Sequence, residues 1–377
     1  MAVSLLHVFP SFAPGGIQMR LRTLAAGLDK PWQHQVVALD GDTSAFDAPG
    51  WPRSVSLAEP AFEMPAGAGL VARIKAMRAW LATVKTDLLI TYNWGAIEWA
   101  LAARFEKALP HLHSESGFGP DEAFSLNKKR SLFRRFVLPG SDGVLLCSQT
   151  LMAIAKTTWR LPEKRVHFVP DGIDLERFSK VNTQPISLFE DGDVIVGCVA
   201  PLRGEKNLTA LLRSFDAAWR ENTGLRLAIA GDGAERSALE AAAAKLPSAQ
   251  HIKFLGFLGD IERFYAGIDI CALSSDTEQL PNSILQAMAM ELPIAAFGVG
   301  DIPHMVADGN QRFLPERRDE AGLTKAIARL AAKPELREAL GQSNQQKCAQ
   351  TYGQAQMVAG YERHITQALS QKGTLAA

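Results

Sequence analysis

The sequence predicts an α/β protein made of two doubly wound, parallel-sheet (Rossmann-like) domains, on three observations. Short apolar runs alternate with polar, glycine-bearing turns and helical stretches along most of the chain, the pattern of parallel strands joined by crossover helices. The 377 residues suffice for about two domains. A polar stretch at 179–193, carrying Pro185, divides the pattern and reads as a linker. Hydrophobic residues at 47% and charged residues at 21% belong to the soluble globular class. Forty basic residues balance forty acidic ones, so there is no overall field for nucleic acid, and no nucleic-acid partner is expected. The four cysteines lack metal-ligand spacing and read as buried reduced thiols. The first residues lack a basic start and a small-residue cleavage site, so they read as a first strand and not a signal peptide. No apolar run is long enough to span a bilayer, and the expected compartment is the cytoplasm.

In the first half, 3–9 reads as a strand that Pro14-Gly15-Gly16 breaks before a helix at 17–28. Paired glycines let a backbone approach a ligand closely, and a helix start favours anions. Strands at 35–39 and 88–92 follow, with an amphipathic helix at 74–84 between them. The stretch His111-Leu112-His113-Ser114-Glu115-Ser116-Gly117-Phe118 reads as a glycine-containing loop past a strand edge. Clustered histidines with an acid there suit proton transfer or the holding of a hydroxyl; a loop histidine without a role is the alternative. Residues 127–136, NKKRSLFRRF, place Leu132, Phe133 and Phe136 on one helix face beside Lys129 and Arg130. Such a run fits peripheral contact with an anionic membrane, or a core-facing helix with a solvated basic side. A strand at 144–147, a helix opened by Ser148 and a strand at 167–169 lead to the turn Pro170-Asp171-Gly172-Ile173-Asp174.

The second half opens with a strand at 194–200 and the turn Pro201-Leu202-Arg203-Gly204-Glu205-Lys206-Asn207. Arg203 and Lys206 supply a planar fork and a point charge, the right types for a diphosphate. Strands at 225–230 and 252–256 follow, and then the stretch 274–306 around which the rest is arranged. It runs from an apolar strand through Glu278 to Pro281-Asn282-Ser283, where Asn or Ser beside Pro reads as the cap of a helix. Pro293 ends that helix and a strand at 294–297 follows. The turn therefore lies at the carboxyl end of a parallel strand, where open α/β sheets bind ligands. A helix amino terminus there attracts phosphate. Gln286, four residues after Asn282, shares its face and leans towards Glu278. A carboxylate beside a phosphate site is suited to accept bonds from hydroxyls or to stabilise a developing cation, and sugar chemistry presents both. A dipole-favoured acid and a surface glutamine are the plain alternative.

Glu278, seven intervening residues, Gln286, then Ala287-Met288-Ala289 and Pro293 resemble the donor-site signature of the family 4 glycosyltransferases, of GT-B architecture. The resemblance covers nearly the whole chain. It implies two such domains facing across a cleft: residues 1–175 on the acceptor side, 190–352 binding the donor, and a last helix, within 353–377, crossing back to the first. It further implies retention of anomeric configuration, a nucleotide-diphosphate sugar as donor and no bound metal or other cofactor. Two stretches, Asp40-Gly41-Asp42 and Asp191-Gly192-Asp193, resemble the metal motif of other sugar transferases but read as solvated turns.

By the same resemblance Glu278 is catalytic, orienting the sugar. Leu280, Pro281, Asn282 and Ser283 line the donor site, Gly15 and Gly16 form the glycine loop, Lys206 holds phosphate, and Leu255 and Gly256 lie against the base. The family's sugar-contacting histidine falls at His113, or its place at Ser116. Two departures stand out: Gln286 replaces the family's ribose-binding acid, losing charge-assisted bonds, and Pro201 holds the usual Arg position, with Arg203 two residues later. The implied function is sugar transfer to a saccharide or lipid-linked saccharide, in bacterial surface polysaccharide or glycoconjugate synthesis, by an enzyme in the cytoplasm or peripheral on the inner membrane face. A nucleotide-sugar epimerase and a non-catalytic nucleotide-sugar-binding protein are the alternatives.

Overall fold

The computed structural model describes residues 3–65, 67–106, 108–118, 122, 125–190 and 192–371. The chain divides into two compact units, Met1–Gly172 with Gln354–Ala377, and Ile173–Gly353. In the first, β1 (Ser4–Phe9), β2 (Gln33–Ala38), β3 (Val55–Leu57), β4 (Leu88–Tyr92), β5 (His111–Glu115), β6 (Gly143–Leu146) and β7 (Val166–Phe168) form one sheet in the order β3-β2-β1-β4-β5-β6-β7. Every pairing is parallel. Helices on both faces leave little room for polar side chains, which is why β4 and β6 are buried along their whole length. Successive side chains point to opposite faces. Leu5 and Phe9 therefore join a core with Leu21, Leu24, Met357, Tyr361 and Ile365, while Leu6 and Val8 join one with Met77, Leu81 and Trp99. The C-terminal helix Gln354–Gln371 thus belongs to this unit, and residues 372–377 of the expected last helix lie outside the described residues.

The second unit holds β8 (Val194–Val199), β9 (Leu225–Ala230), β10 (Ile252–Gly256), β11 (Ile270–Leu273) and β12 (Ile294–Ala296), all parallel, in the order β10-β9-β8-β11-β12. Strand order reverses between β1 and β4 in one sheet and between β8 and β11 in the other. At such a switch point the loops leave in opposite directions and open a crevice at the carboxyl ends of the strands.

The stretch 179–193, expected as a linker, is instead part of the second unit. Leu188 is buried, Ile186 N donates to Arg263 O, and Lys253 Nζ donates to Leu188 O. Apolar Ile186 and Leu188 tie this polar segment down. Asp40 and Asp42 sit in an exposed turn whose carboxylates accept from Asp42 N and from Ser44; Asp191 lies outside the described residues. Among the described residues no helix is long and apolar enough to cross a membrane.

Candidate active site

At the switch point of the five-stranded sheet lies a cavity of about 660 Å3. The turn after β8 contributes Pro201 and Lys206, and the turn after β11 contributes Glu278, Leu280 and Pro281. Asn282, Ser283 and Gln286 of helix Asn282–Ala289 complete that side. Lys206 Nζ lies 2.6 Å from Glu278 Oε1, with side chains 14% and 9% exposed. Ser275 Oγ donates to the same carboxylate oxygen at 2.7 Å. The two turns are laced together behind this pair. Ser274 Oγ donates to Lys206 O and Asn207 O, Asp276 N donates to Glu205 O, and the Asp276 carboxylate accepts from Asn207 and Arg318. Those bonds hold the Asp276 carboxyl below its ordinary range, the Arg318 bond foremost.

Gly300 braces Glu278 from the other side. Its φ of +56° is left-handed, and an added Cβ would stand 1.9 Å from Glu278 O. Only glycine fits so close a backbone approach at positive φ. The same holds of Gly231 at the cavity wall, where φ is +136° and a Cβ would meet Ala200 O at 1.9 Å.

The expected cap of the 282–289 helix is corrected by one residue. Pro281 occupies the cap position, with φ −70° and ψ 117°, and no side chain caps the helix. Proline's fixed φ suits that extended geometry. The first-turn amides are therefore not taken by a capping side chain, as an anion site requires. Gln286 lines the cavity, and its Oε1 lies 3.1 Å from the hydroxyl of buried Tyr265.

Three expectations for this unit are displaced. Arg203 does not line the cavity; its side chain is 60% exposed and pairs with Glu205 at 2.9 Å. The close turn led by Pro201 carries Lys206 to the wall and leaves Arg203 outside. Leu255 and Gly256 end β10, and the lining comes from the next residues, Phe257, Leu258 and Gly259. Phe257 is 85% exposed at the edge of this lining.

In the first unit, His113 is not in a loop. It lies within β5, wholly buried, with Nδ1 2.8 Å from Thr91 Oγ1 and Nε2 3.5 Å from Glu115 Oε2. Thr91 also meets His111, whose pKa is pushed down to about 3 by burial and by His113. The loop begins at Ser116, the other place considered, which accepts from Arg20 at 2.7 Å and lines a cavity of about 370 Å3 with Asn93, Trp94 and Arg130. Gly15 and Gly16 open helix Gly16–Gly27 past β1 and are exposed.

The basic run forms helix Lys128–Val137, capped by Asn127. It is not uniformly a surface run. Arg134 is fully buried, bonded to Glu115 at 3.0 Å and Glu122 at 3.4 Å, and packed over Trp94, Phe118 and Trp159. Burial alone would push the Glu115 carboxyl up, but His113 and Arg134 bring it below its ordinary value. Arg130 turns to Glu122, and Phe133 packs on Trp94. The outer face carries Lys128, Lys129, Leu132, Arg135 and Phe136.

Two parallel-sheet units, with a cavity at one switch point that pairs Lys206 with Glu278, define the GT-B class of fold. The family described as "Glycosyl transferases group 1" matches residues 180–347, and that described as "Glycosyl transferase 4-like domain" matches 15–172. The chain belongs to the family 4 type of glycosyltransferases. It is 30% identical over 203 residues to EpsD of Bacillus subtilis (strain 168), covering 52% of each chain. It is 26% identical over 208 residues to the alpha-monoglucosyldiacylglycerol synthase of Streptococcus pneumoniae (strain ATCC BAA-255 / R6), covering 52% of this chain and 46% of that one. The chain thus spans about half the length of these curated relatives. Among solved structures, Anabaena HepE in complex with UDP aligns over 97% of this chain and 100% of its own, at a TM-score of 0.78 and 16% identity.

Proposed function

We propose that this protein transfers a sugar, with retention, from a nucleotide-diphosphate sugar to a hydroxyl of a saccharide or lipid-linked saccharide, in surface polysaccharide or glycoconjugate synthesis. The observation that carries this is the Lys206–Glu278 pair, held at the mouth of a helix without a side-chain cap in a cavity of nucleotide size. A diphosphate entering there meets one fixed cation and the positive end of a helix. Preorganised charge of this kind stabilises a leaving phosphate without reorganising, so no bound metal is required. As Lys206 turns to the phosphate, Glu278 keeps its bond from Ser275 and accepts hydroxyls of the sugar. Oxocarbenium character at the anomeric carbon then develops beside a carboxylate. The donor's own phosphate takes the acceptor proton, and no covalent sugar on the enzyme is needed.

Phe257 is suited to cover the base. The UDP in HepE and the lipid product named for the Streptococcus relative support the classes of donor and acceptor. We assign the acceptor to the first unit and place the enzyme in the cytoplasm, touching the inner membrane face through helix 128–137. That contact rests on three outward cations, Lys128, Lys129 and Arg135, flanking exposed Leu132 and Phe136. Each contributes roughly 1 kcal/mol near an anionic surface. The deciding experiment supplies labelled UDP-, GDP- and ADP-sugars with lipid-linked and soluble saccharides, and reads the anomeric configuration of the product by NMR. An inverted product overturns retention. Release of an isomerised nucleotide sugar without acceptor marks an epimerase, and binding without turnover marks a binding protein.

A further inference from the structure

Three loops of the five-stranded unit meet at one carboxylate behind the cavity. The Asp276 side chain, 7% exposed, accepts from Arg318 Nε at 2.9 Å and Arg318 Nη2 at 2.6 Å, and from Asn207 Nδ2 at 3.3 Å. None of these three residues lines the cavity. Two of them hold a backbone conformation that residues with side chains seldom adopt: φ is +47° at Asn207 and +66° at Arg318. Asn207 also stands at the cap position of helix Leu208–Glu221, where an asparagine ordinarily bonds a first-turn amide. Its side chain caps nothing there and reaches Asp276 instead. The left-handed Asn207 closes the turn 204–206, and Lys206 is the residue directly before it. Exposed ion pairs as a rule contribute little. This one differs, because the fork is bidentate and the carboxylate it holds is buried. Without Arg318, that carboxylate keeps only the 3.3 Å bond from Asn207.

We propose that Arg318 is a positioning residue for Lys206. Acting through Asp276, it keeps Asn207 left-handed, and the turn so closed fixes the backbone from which the Lys206 ammonium reaches the cavity wall. When a diphosphate draws that ammonium off Glu278, the side chain moves and the turn does not. Arg318 does this without touching the donor. The inference rests on the donor-pocket reading above and adds to it a residue from a separate loop.

A double-mutant cycle with Lys206→Ala tests it. Affinities for UDP, GDP and ADP, and for the matching nucleosides, are measured by ligand-detected NMR on wild type, Arg318→Gly, Lys206→Ala and the double variant. Glycine adopts positive φ freely, so the first variant loses the fork without added strain. Arg318→Gly is expected to weaken the best-bound diphosphate about three- to tenfold, the range of one hydrogen bond, and to leave its nucleoside unchanged. With Lys206 already replaced by alanine, it should change neither. Equal losses for diphosphate and nucleoside would make Arg318 only a support of the fold. The same loss in both backgrounds would mean that it acts on the phosphate by a route other than Lys206. Either result overturns the proposal. Arg318→Lys gives a second reading should the glycine variant fold poorly: it keeps the charge but gives up the paired bonds. It should also weaken the diphosphate, and wild-type affinity in it overturns the proposal. If wild type binds no nucleoside diphosphate, or Lys206→Ala binds it as tightly as wild type, the donor-pocket reading itself fails and takes this one with it.

Discussion

In the seven-stranded unit Arg134 meets Glu115 and Glu122 beneath three aromatic rings, with none of the charges touching solvent. In the five-stranded unit Lys206 meets Glu278 at the wall of a cavity, with a hydroxyl on the carboxylate and an amino-terminal helix end beside it. Both pairs sit towards the carboxyl ends of parallel strands, and both come from stretches that looked chemical in the sequence. The first is closed on itself, so its charges hold the loop and helix past β5 in place. The second has one face on open space, so its charges can be shared with a ligand. Access, more than residue type, separates a sealed ion pair from one that a ligand can reach.

Removing one member of each pair is the sharpest way to break that comparison. Arg134→Ala leaves buried Glu115 without its arginine and Glu122 with Arg130 alone, and should cost about 3–5 kcal/mol, read by chemical denaturation. A loss below one kcal/mol would show the cluster to be wet. Acid should come next. Burial depresses His7, His34, His111, His167 and His364, all in the first unit, His34 and His364 to about 4 and His111 to about 3. The unfolded chain takes protons near pH 6.5 that the fold refuses, so stability present above that pH is lost as pH falls towards 4. Scanning calorimetry between pH 7 and 4.5 should show the first unit melting progressively earlier while the second holds; a parallel decline would contradict it.

Lys206→Ala should spare the fold. Nucleoside-diphosphate affinity should fall by about 1.5–3 kcal/mol, as for a charged hydrogen bond, with the bare nucleoside unaffected. Equal losses for nucleoside and diphosphate would remove Lys206 from the phosphate. The smallest effect on the fold belongs to Lys128, Lys129 and Arg135 changed together to Gln, within about 0.5 kcal/mol for surface positions. The same variant should lose retention on anionic vesicles at low salt, with nucleotide binding intact. Wild-type protein that ignores such vesicles would leave this helix a solvated face.

Much of the second sheet was legible because its signals are local. Glu278, Asn282 and Gln286 are fixed by spacing along one turn and one helix, and Lys206 by its place after an apolar strand. What was not legible depends on partners far away in the chain. The polar β5 reads as a loop until Thr91 and Arg134 arrive to satisfy His113 and Glu115. Arg134 reads as a surface cation because helical spacing says nothing about an acid nineteen residues earlier. A carboxylate amid strand-forming neighbours was the available signal, since a buried acid needs a counter-charge. The bracing by Gly300 and Tyr265 rests on contacts across 22 and 21 positions, which no short motif contains. The segment 179–193 was misread for the opposite reason: its polar average concealed Ile186 and Leu188, which anchor it.

The division of the chain has a consequence for synthesis on the ribosome. The five-stranded unit is one uninterrupted segment, Ile173–Gly353, whereas the seven-stranded unit is finished only by Gln354–Gln371. Until that last helix emerges, Leu5, Phe9 and Leu24 lack the covering side chains of Met357, Tyr361 and Ile365. The half translated first is therefore completed last, and the segment between can fold while its neighbour still waits. Proteolysis of ribosome-stalled chains halted before residue 354 has emerged, or after residue 371 has emerged, should find the second unit already resistant in both and the first resistant only in the longer. For as long as translation of the last helix takes, the five-stranded unit can be complete while the seven-stranded unit still exposes an apolar face, which makes that interval the natural point of entry for a chaperone.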